Sequence, residues 1–466
     1  MQEREGVEEG LLDGNNGESA ASEITFVVVL CTIVAASGSL AYGFSVGYSS
    51  PAQFGIMDDL SLSIAQYSAF GSMLTFGGMI GALISGRIAE TIGRRLTMWL
   101  LEIFFIVGSV LIIFAKNIWW LNIGRLLMGI GAGLHCYVAP IYMAEITPKD
   151  IRGGFTAGIT FTVSIGFSLM FFFGNFFAWR NLALVGTIPS FIQVVGTFFI
   201  PESPRWLAKT GRWKEVEGAL QRLRGKNADV SSEVSEIKEY METLEKLPQS
   251  RFLDLFNRKY AHSLIVGVGL MVLVQLGGTD AIYSYTSSIF EAAGSSSSIA
   301  STVMAALQLP AAALSVALMD KIGRRLILMI TATRTGLGCL IVGLGFAFKG
   351  GYEELEQLTA ALVLIGILVF AVSFSAGLGG TPWVIMSEIF PVNIKGTGGS
   401  LVTFSNWFSS WMVTYAFNFV FQWSSAGVFF VFACVSAIIV IFVAKLVPET
   451  KGRTLEQIQA SMTLLQ

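Results

Sequence analysis

Charge is the scarcest resource of this 466-residue chain: Asp, Glu, Lys and Arg make up 13% of it, against about 25% in a soluble globular domain. That shortage excludes an ordinary cytosolic protein, and a net charge of −2 gives no pointer to a nucleic-acid partner. Cysteine is scarce as well. Cys31, Cys136, Cys339 and Cys434 fall inside apolar stretches, with neither a disulfide framework nor metal-ligand spacing. There is no phosphate loop and no dinucleotide fingerprint after a strand, so no nucleotide, redox or metal cofactor is implied. Neither a nucleophile–base pair nor paired catalytic carboxylates stand out, which argues against an enzyme. The N-terminus is acidic and the first apolar block has no cleavage signature, so that block reads as a spanning helix and not as a signal peptide.

Long apolar blocks fill the chain instead, with 53% hydrophobic residues and a mean hydropathy of +0.66. Crossing about 30 Å of hydrocarbon takes about 20 helical residues. Twelve blocks of that order are found, near 24–47, 64–85, 96–115, 118–141, 154–173, 181–200, 261–290, 298–319, 326–348, 357–387, 398–421 and 426–446. The block 357–387 is long enough to tilt or break. The expected fold is all-α and integral to the membrane, with 12 transmembrane helices in two six-helix halves, 24–200 and 259–446. Residues 1–23 read as a disordered tail carrying an acidic di-leucine-like string, Glu8 to Leu12, and 447–466 as a second tail. Between the halves lies a polar insert, 201–258, in which 213–223 and 234–247 have helical spacing. Of 30 Lys and Arg, three (Lys116, Arg180, Lys349) fall on odd-numbered loops and two (Arg125, Arg334) inside spans, leaving 25 on the side of both termini. By the positive-inside rule that side is cytoplasmic.

The two halves repeat each other. Met143, Glu145, Ile146, Pro148, Ile151 and Gly153 recur as Met386, Glu388, Ile389, Pro391, Ile394 and Gly396, at a constant offset of 243. Gly93-Arg94-Arg95 is echoed by Gly323-Arg324-Arg325, and Pro201-Glu202 by Pro448-Glu449. Six spans separate the copies, so both face the same side: the parallel repeat of a rocking carrier with its site between the halves.

The doubled Gly-Arg-Arg loops, the string Pro201 to Leu207, Pro448 to Gly452, Gln275-Leu276-Gly277-Gly278 and Gly380-Thr381-Pro382-Trp383 together resemble the sugar-porter branch of the major facilitator superfamily. Gly47 to Pro51 and Glu145 to Lys149 are similar to the plant early-responsive-to-dehydration-type monosaccharide transporters. The resemblance spans about residues 24–458. It implies a carrier of a small sugar that works as a monomer among membrane lipids, in a vacuolar or plasma membrane. It also implies a gating role for Arg94, Arg95, Glu145 and Arg152 and for their mirror set Arg324, Arg325, Glu388 and Lys395. If carboxylate and guanidinium sit on different halves, their pairing closes the cytoplasmic side.

A substrate site is expected near the midplane, where Gly277-Gly278 and Gly379-Gly380 with Pro382 interrupt spans. Sugars need hydrogen-bonding groups for hydroxyls and aromatic faces for ring C–H surfaces. Gln275, Asp280, Tyr285, Gln308 and Asn406 supply the first, and Trp383, Trp407 and Tyr42 the second. By resemblance, all eight match hexose-lining positions. The chain also departs from the family pattern. Val274 stands where a second glutamine is usual, Asp280 where an Asn is usual, and Val163 where the fifth span usually has a Gln. Ser45 replaces the first-span carboxylate of proton-coupled relatives. Facilitated diffusion is therefore the leading expectation. Proton-coupled transport through Asp280, and carriage of a polyol or an amine-bearing metabolite, stand as alternatives.

Overall fold

The computed structural model describes residues 25–148, 151–225, 227–246, 255–349, 353–390 and 394–451. The di-leucine-like string and most of the C-terminal tail lie outside them. Among the described residues, ten helical stretches are long and apolar enough to cross a membrane by length and composition. Trp179–Gly196 and Lys395–Trp423 bring the helical courses to two sets of six. The second of these carries Asn406, Thr414 and Asn418, buried in the protein, which dilutes its hydropathy without exposing polar groups to lipid.

In the N-terminal half the spans are Phe26–Gly47, Ile64–Ile92, Arg94–Ile113, Ile118–Ile146, Arg152–Phe173 and Trp179–Gly196. Local chemistry sets their starts. The Thr25 hydroxyl accepts from Val28 N at the head of the first span. Ser63 and Gln66 form a reciprocal capping box on the second, and Asn117 Oδ1 accepts from Trp119 N and Trp120 N on the fourth. A short helix, Ser49–Leu60, follows the first span on the side away from the termini.

In the C-terminal half, spans seven and ten are interrupted. Span seven runs Arg258–Leu276, turns at Gly277-Gly278, and resumes as Thr279–Ser284 and Thr286–Ala292. Gly278 has φ +84°, and a Cβ there would lie 2.2 Å from the Phe432 ring, so both backbone and packing demand glycine. Span ten runs Glu353–Ser373, passes through a π-helical segment Phe374–Leu378, and continues after Gly379-Gly380 as Thr381–Ile389 with Pro382 in its first turn. Spans eight, nine, eleven and twelve are Ser297–Ile322, Arg324–Ala347, Lys395–Trp423 and Ser425–Leu446.

Between the halves, Pro204–Lys209, Trp213–Arg224 and Ser231–Lys246 pack around Trp206, Val216, Leu220 and Ile237. Lys209 pairs with Glu90, Trp206 Nε1 donates to Glu90 O, Arg222 to Phe199 O and Arg224 to Ile146 O. The Thr25 hydroxyl donates to Leu223 O at 2.7 Å. All these bonds tie the insert to the N-terminal half.

Candidate functional site

The eight residues expected to line a site come from spans one, seven, eight, ten and eleven. Gln275 and Asn406, both nearly buried, meet across spans seven and eleven: Gln275 Nε2 donates to Asn406 Oδ1 at 3.0 Å, and Gln275 Oε1 is left without a partner. The Ser410 hydroxyl donates to Asp280, again from span eleven to span seven. Gln308 Oε1 accepts from Ser375 Oγ at 3.5 Å while Gln308 Nε2 is unpartnered. Tyr42 lies with its ring 5.6 Å from His135, whose Nε2 is 3.1 Å from Ser39 Oγ. Trp383 is half-buried on the segment that follows the span-ten break. Buried amide groups without partners are costly unless something polar meets them, and Gln275 Oε1 and Gln308 Nε2 are the two unpartnered amide atoms of this group.

Tyr285 and Trp407 are placed differently. Both are buried, Tyr285 stacks on Phe417 at 5.5 Å, and both press against the second span of the other half. Val274 is buried on the turn before the break, beside Gln275. The absent first-span carboxylate leaves a mark too. Buried Arg125 donates to Ser45 O and Ser49 Oγ and lies over the rings of Tyr48 and Phe70 at 5.7 and 5.4 Å. No ion pair of Arg125 occurs among the described residues. Sequence reasoning passed over Glu102, fully buried in the third span, and Gln193, whose Nε2 donates to Met98 O. An acidic residue in the middle of the apolar block 96–115 was the available signal for Glu102.

The charged rim is built within each half. Arg94 grips Glu145 through Nε and Nη2 at 2.9 and 3.0 Å, and Glu145 also accepts from Ser203 Oγ at 2.5 Å. Arg324 approaches Glu388 at 3.5 Å. Arg95 Nη1 donates to Ile200 O, and Arg325 Nη2 to Ala444 O. Behind them, Glu202 receives the backbone N–H groups of Arg94 and Arg95, and Glu449 those of Arg324 and Arg325. Burial holds the Glu202 carboxyl above its ordinary 4.5 despite the N–H groups of Ser203, Arg95 and Arg94. Burial also pulls Glu449 up, but the N–H groups of Lys451, Arg324, Arg325 and Thr450 outweigh it and leave that carboxyl below 4.5. The side chains of Arg152 and Lys395 lie outside the described residues.

The halves meet on the opposite side. Ser50 Oγ is 2.8 Å from Ser287 Oγ and accepts from Ser287 N, and Gln53 Oε1 accepts from Ser288 Oγ at 2.6 Å. Ser168 Oγ donates to Ala305 O, Asn175 Nδ2 to Thr302 Oγ1 and Asn418 Nδ2 to Ser68 Oγ. Among the described residues no ion pair crosses between the halves, and every such cross-half hydrogen bond is between neutral groups. Toward the charged rim, Gly153, Gly154, Gly158, Gly396 and Gly399 face open space. Among the described residues, the polar contacts between the halves lie away from the Gly-Arg-Arg loops.

Comparison with known proteins decides the family. Residues 31–462 match the profile of the sugar (and other) transporter family. The chain belongs to that family. It is 48% identical over 463 residues to sugar transporter ERD6-like 17 of Arabidopsis thaliana, covering 99% of this chain and 98% of that protein. Sugar transporter ESL1 of the same plant is 48% identical over 453 residues, covering 97% and 96%. The fold matches the xylose transporter XylE from E. coli in its inward open conformation, with a TM-score of 0.79 at 22% identity over 93% of this chain and 99% of that one. A second match is the major facilitator superfamily proton:xylose symporter XylE bound to 6-bromo-6-deoxy-D-glucose, with a TM-score of 0.77 at 23% identity, covering 94% and 99%. The major facilitator fold that the resemblance implies is the fold observed. Membership places the chain among multi-pass membrane transporters, not enzymes.

Proposed function

We propose that this chain carries a monosaccharide across its membrane by alternating access, with halves 24–200 and 259–446 rocking about a central site, joined by the insert 201–258. One observation carries the reading: spans seven and ten lose regular helix at Gly277-Gly278 and Phe374–Leu378, and two buried amides beside those breaks, Gln275 Oε1 and Gln308 Nε2, have no partner. A sugar hydroxyl satisfies each, a donor for Gln275 and an acceptor for Gln308. Asp280, Asn406 and Trp383 complete the C-terminal contribution, and Tyr42 faces them from the other half. Tyr285 and Trp407 join the site in the opposite conformation, once they leave the second span.

Facilitated diffusion is the coupling mode favoured here, because Arg125 is held by Ser45 and Ser49 in place of a first-span carboxylate. Proton coupling through Asp280 is the second reading, favoured by its position inside the membrane with Ser410 as hydrogen-bond donor. Both termini face the cytoplasm on the count of basic loop residues. The membrane is vacuolar or plasma, and the working unit is a monomer in lipid. The rim residues Arg94, Arg95, Glu145, Arg152, Arg324, Arg325, Glu388 and Lys395 shape the cytoplasmic mouth.

The test is uptake of labelled glucose and fructose into proteoliposomes, with and without an imposed pH gradient. Uptake that equilibrates regardless of the gradient is the expected result, and accumulation driven by protons would transfer the coupling role to Asp280. Gln275→Ala raises the half-saturating sugar concentration about tenfold, the loss of one buried hydrogen bond. Uptake unaltered by that change would sink the pocket assignment.

A further inference from the structure

Spans two and eleven belong to different halves and run antiparallel with a constant register. Asn418 Nδ2 bonds Ser68 Oγ at 2.9 Å, the Trp411 and Phe76 rings are 5.6 Å apart, and Trp407 lies against Gly78. Residues 407, 411 and 418 fall on one face of span eleven by helical periodicity, and residues 68, 71 and 78 on one face of span two. The packing at Gly78 leaves no room for a larger residue: a Cβ there would lie 2.6, 2.7 and 2.9 Å from three carbons of the Trp407 benzo ring. About two turns away, a Cβ on Gly71 would lie 2.5 Å from Tyr285 Oη. Trp407 Nε1 has no partner, so the ring is held there by packing alone. The adjacent Gly77 points the other way, toward span four of its own half, where a Cβ would lie 2.3 Å from Leu126 O and 2.9 Å from Gly129 Cα.

We propose that Gly78 is a state-selecting notch: it receives the Trp407 ring only when the halves are closed away from the Gly-Arg-Arg loops, so the volume at this position sets the balance between the two access states. Gly71 repeats the arrangement for Tyr285. The two aromatic side chains thus alternate between filling a notch in the opposite half and facing the central cavity. Gly77 is the built-in contrast, because its contact lies within one half and is kept in both states. The inference rests on alternating access but not on which solute is moved.

The experiment labels a reporter, Gly158→Cys, which faces open space on the loop side, with a water-soluble maleimide in sugar-free nanodiscs; Cys434, exposed on the surface, is replaced by Ala. Adding Gly78→Ala slows labelling on the order of tenfold, because a carbon forced into a filled site disfavours the state that fills it. Gly77→Ala lowers the melting temperature and leaves the labelling rate unaltered. Gly78→Ala combined with Trp407→Phe restores the rate, since the smaller ring makes room for the methyl group. Unchanged labelling in a folded Gly78→Ala protein overturns the proposal, as does equal slowing by Gly77→Ala. Should Gly78→Ala not fold, Gly71→Ala and Trp407→Phe alone must each slow labelling, and a normal rate in both overturns it. Because no sugar is present, failure here and failure of the uptake reading are separate results.

Discussion

Two copies of one charged motif sit at the rims of the two halves, and they are not bonded alike. In the N-terminal copy Arg94 holds Glu145 through two nitrogens and Ser203 adds a third bond, with only 10% and 11% of the paired side chains exposed. In the C-terminal copy Arg324 and Glu388 stand 3.5 Å apart and are 17% and 21% exposed. The carboxylates behind them diverge as well, Glu202 lying above the usual range and Glu449 below it. A repeat kept in letters is therefore not a repeat in energy. The N-terminal rim is braced, partly because the insert supplies Ser203 and docks on the same half. The C-terminal pair is the longer and the more exposed of the two.

Removing one partner is the strongest way to test that contrast. Glu145→Ala strands a guanidinium that is 10% exposed, and the expected loss is about 3–5 kcal/mol, read as a large fall in melting temperature. Glu388→Ala, at the longer and wetter pair, loses about 1 kcal/mol. Equal losses would erase the asymmetry. The next effect concerns pH. Glu449, held below 4.5, adds stability above that pH and loses it as pH falls through its folded value. Glu202, held above 4.5, adds stability in acid and loses it as pH rises through its folded value. At pH 7, Glu449→Gln lowers the melting temperature more than Glu202→Gln does, and the gap closes as the pH falls through the folded value of Glu449, below 4.5. The smallest effect lies across the molecule. Ser50→Ala removes bonds to Ser287 worth about 1 kcal/mol, and because that seam is neutral, salt leaves its closure unchanged.

Much of this architecture was legible in the sequence. The twelve apolar blocks follow from length and hydropathy, and the breaks in spans seven and ten follow from Gly277-Gly278 and Gly379-Gly380, because glycine pairs weaken helix where a cavity replaces lipid. The constant offset between Glu145 and Glu388 placed both on one rim. Their partners were less legible. The expectation that pairing between halves closes the cytoplasmic side is not what this conformation displays, since both pairs are internal to a half. Spacing along a chain reports which side of the membrane a residue faces, and not which helix it turns toward. The sequence offers Tyr285 as a hydrogen-bonding group for sugar hydroxyls and Trp407 as an aromatic face for the sugar ring; either side chain also suits a glycine notch, and hydropathy does not separate the two. Glu102 was passed over inside an otherwise apolar block.

The insert has a practical consequence. Its hydrogen bonds to Thr25, Glu90, Arg94, Arg95, Glu145, Ile146 and Phe199 all land in the N-terminal half. A dye on the exposed side of Trp213–Arg224 would thus be carried bodily by that half, and a second dye beyond span twelve by the other. The insert is a ready-made handle, through which a single molecule's rocking can be watched as a changing distance, with no label inside the membrane.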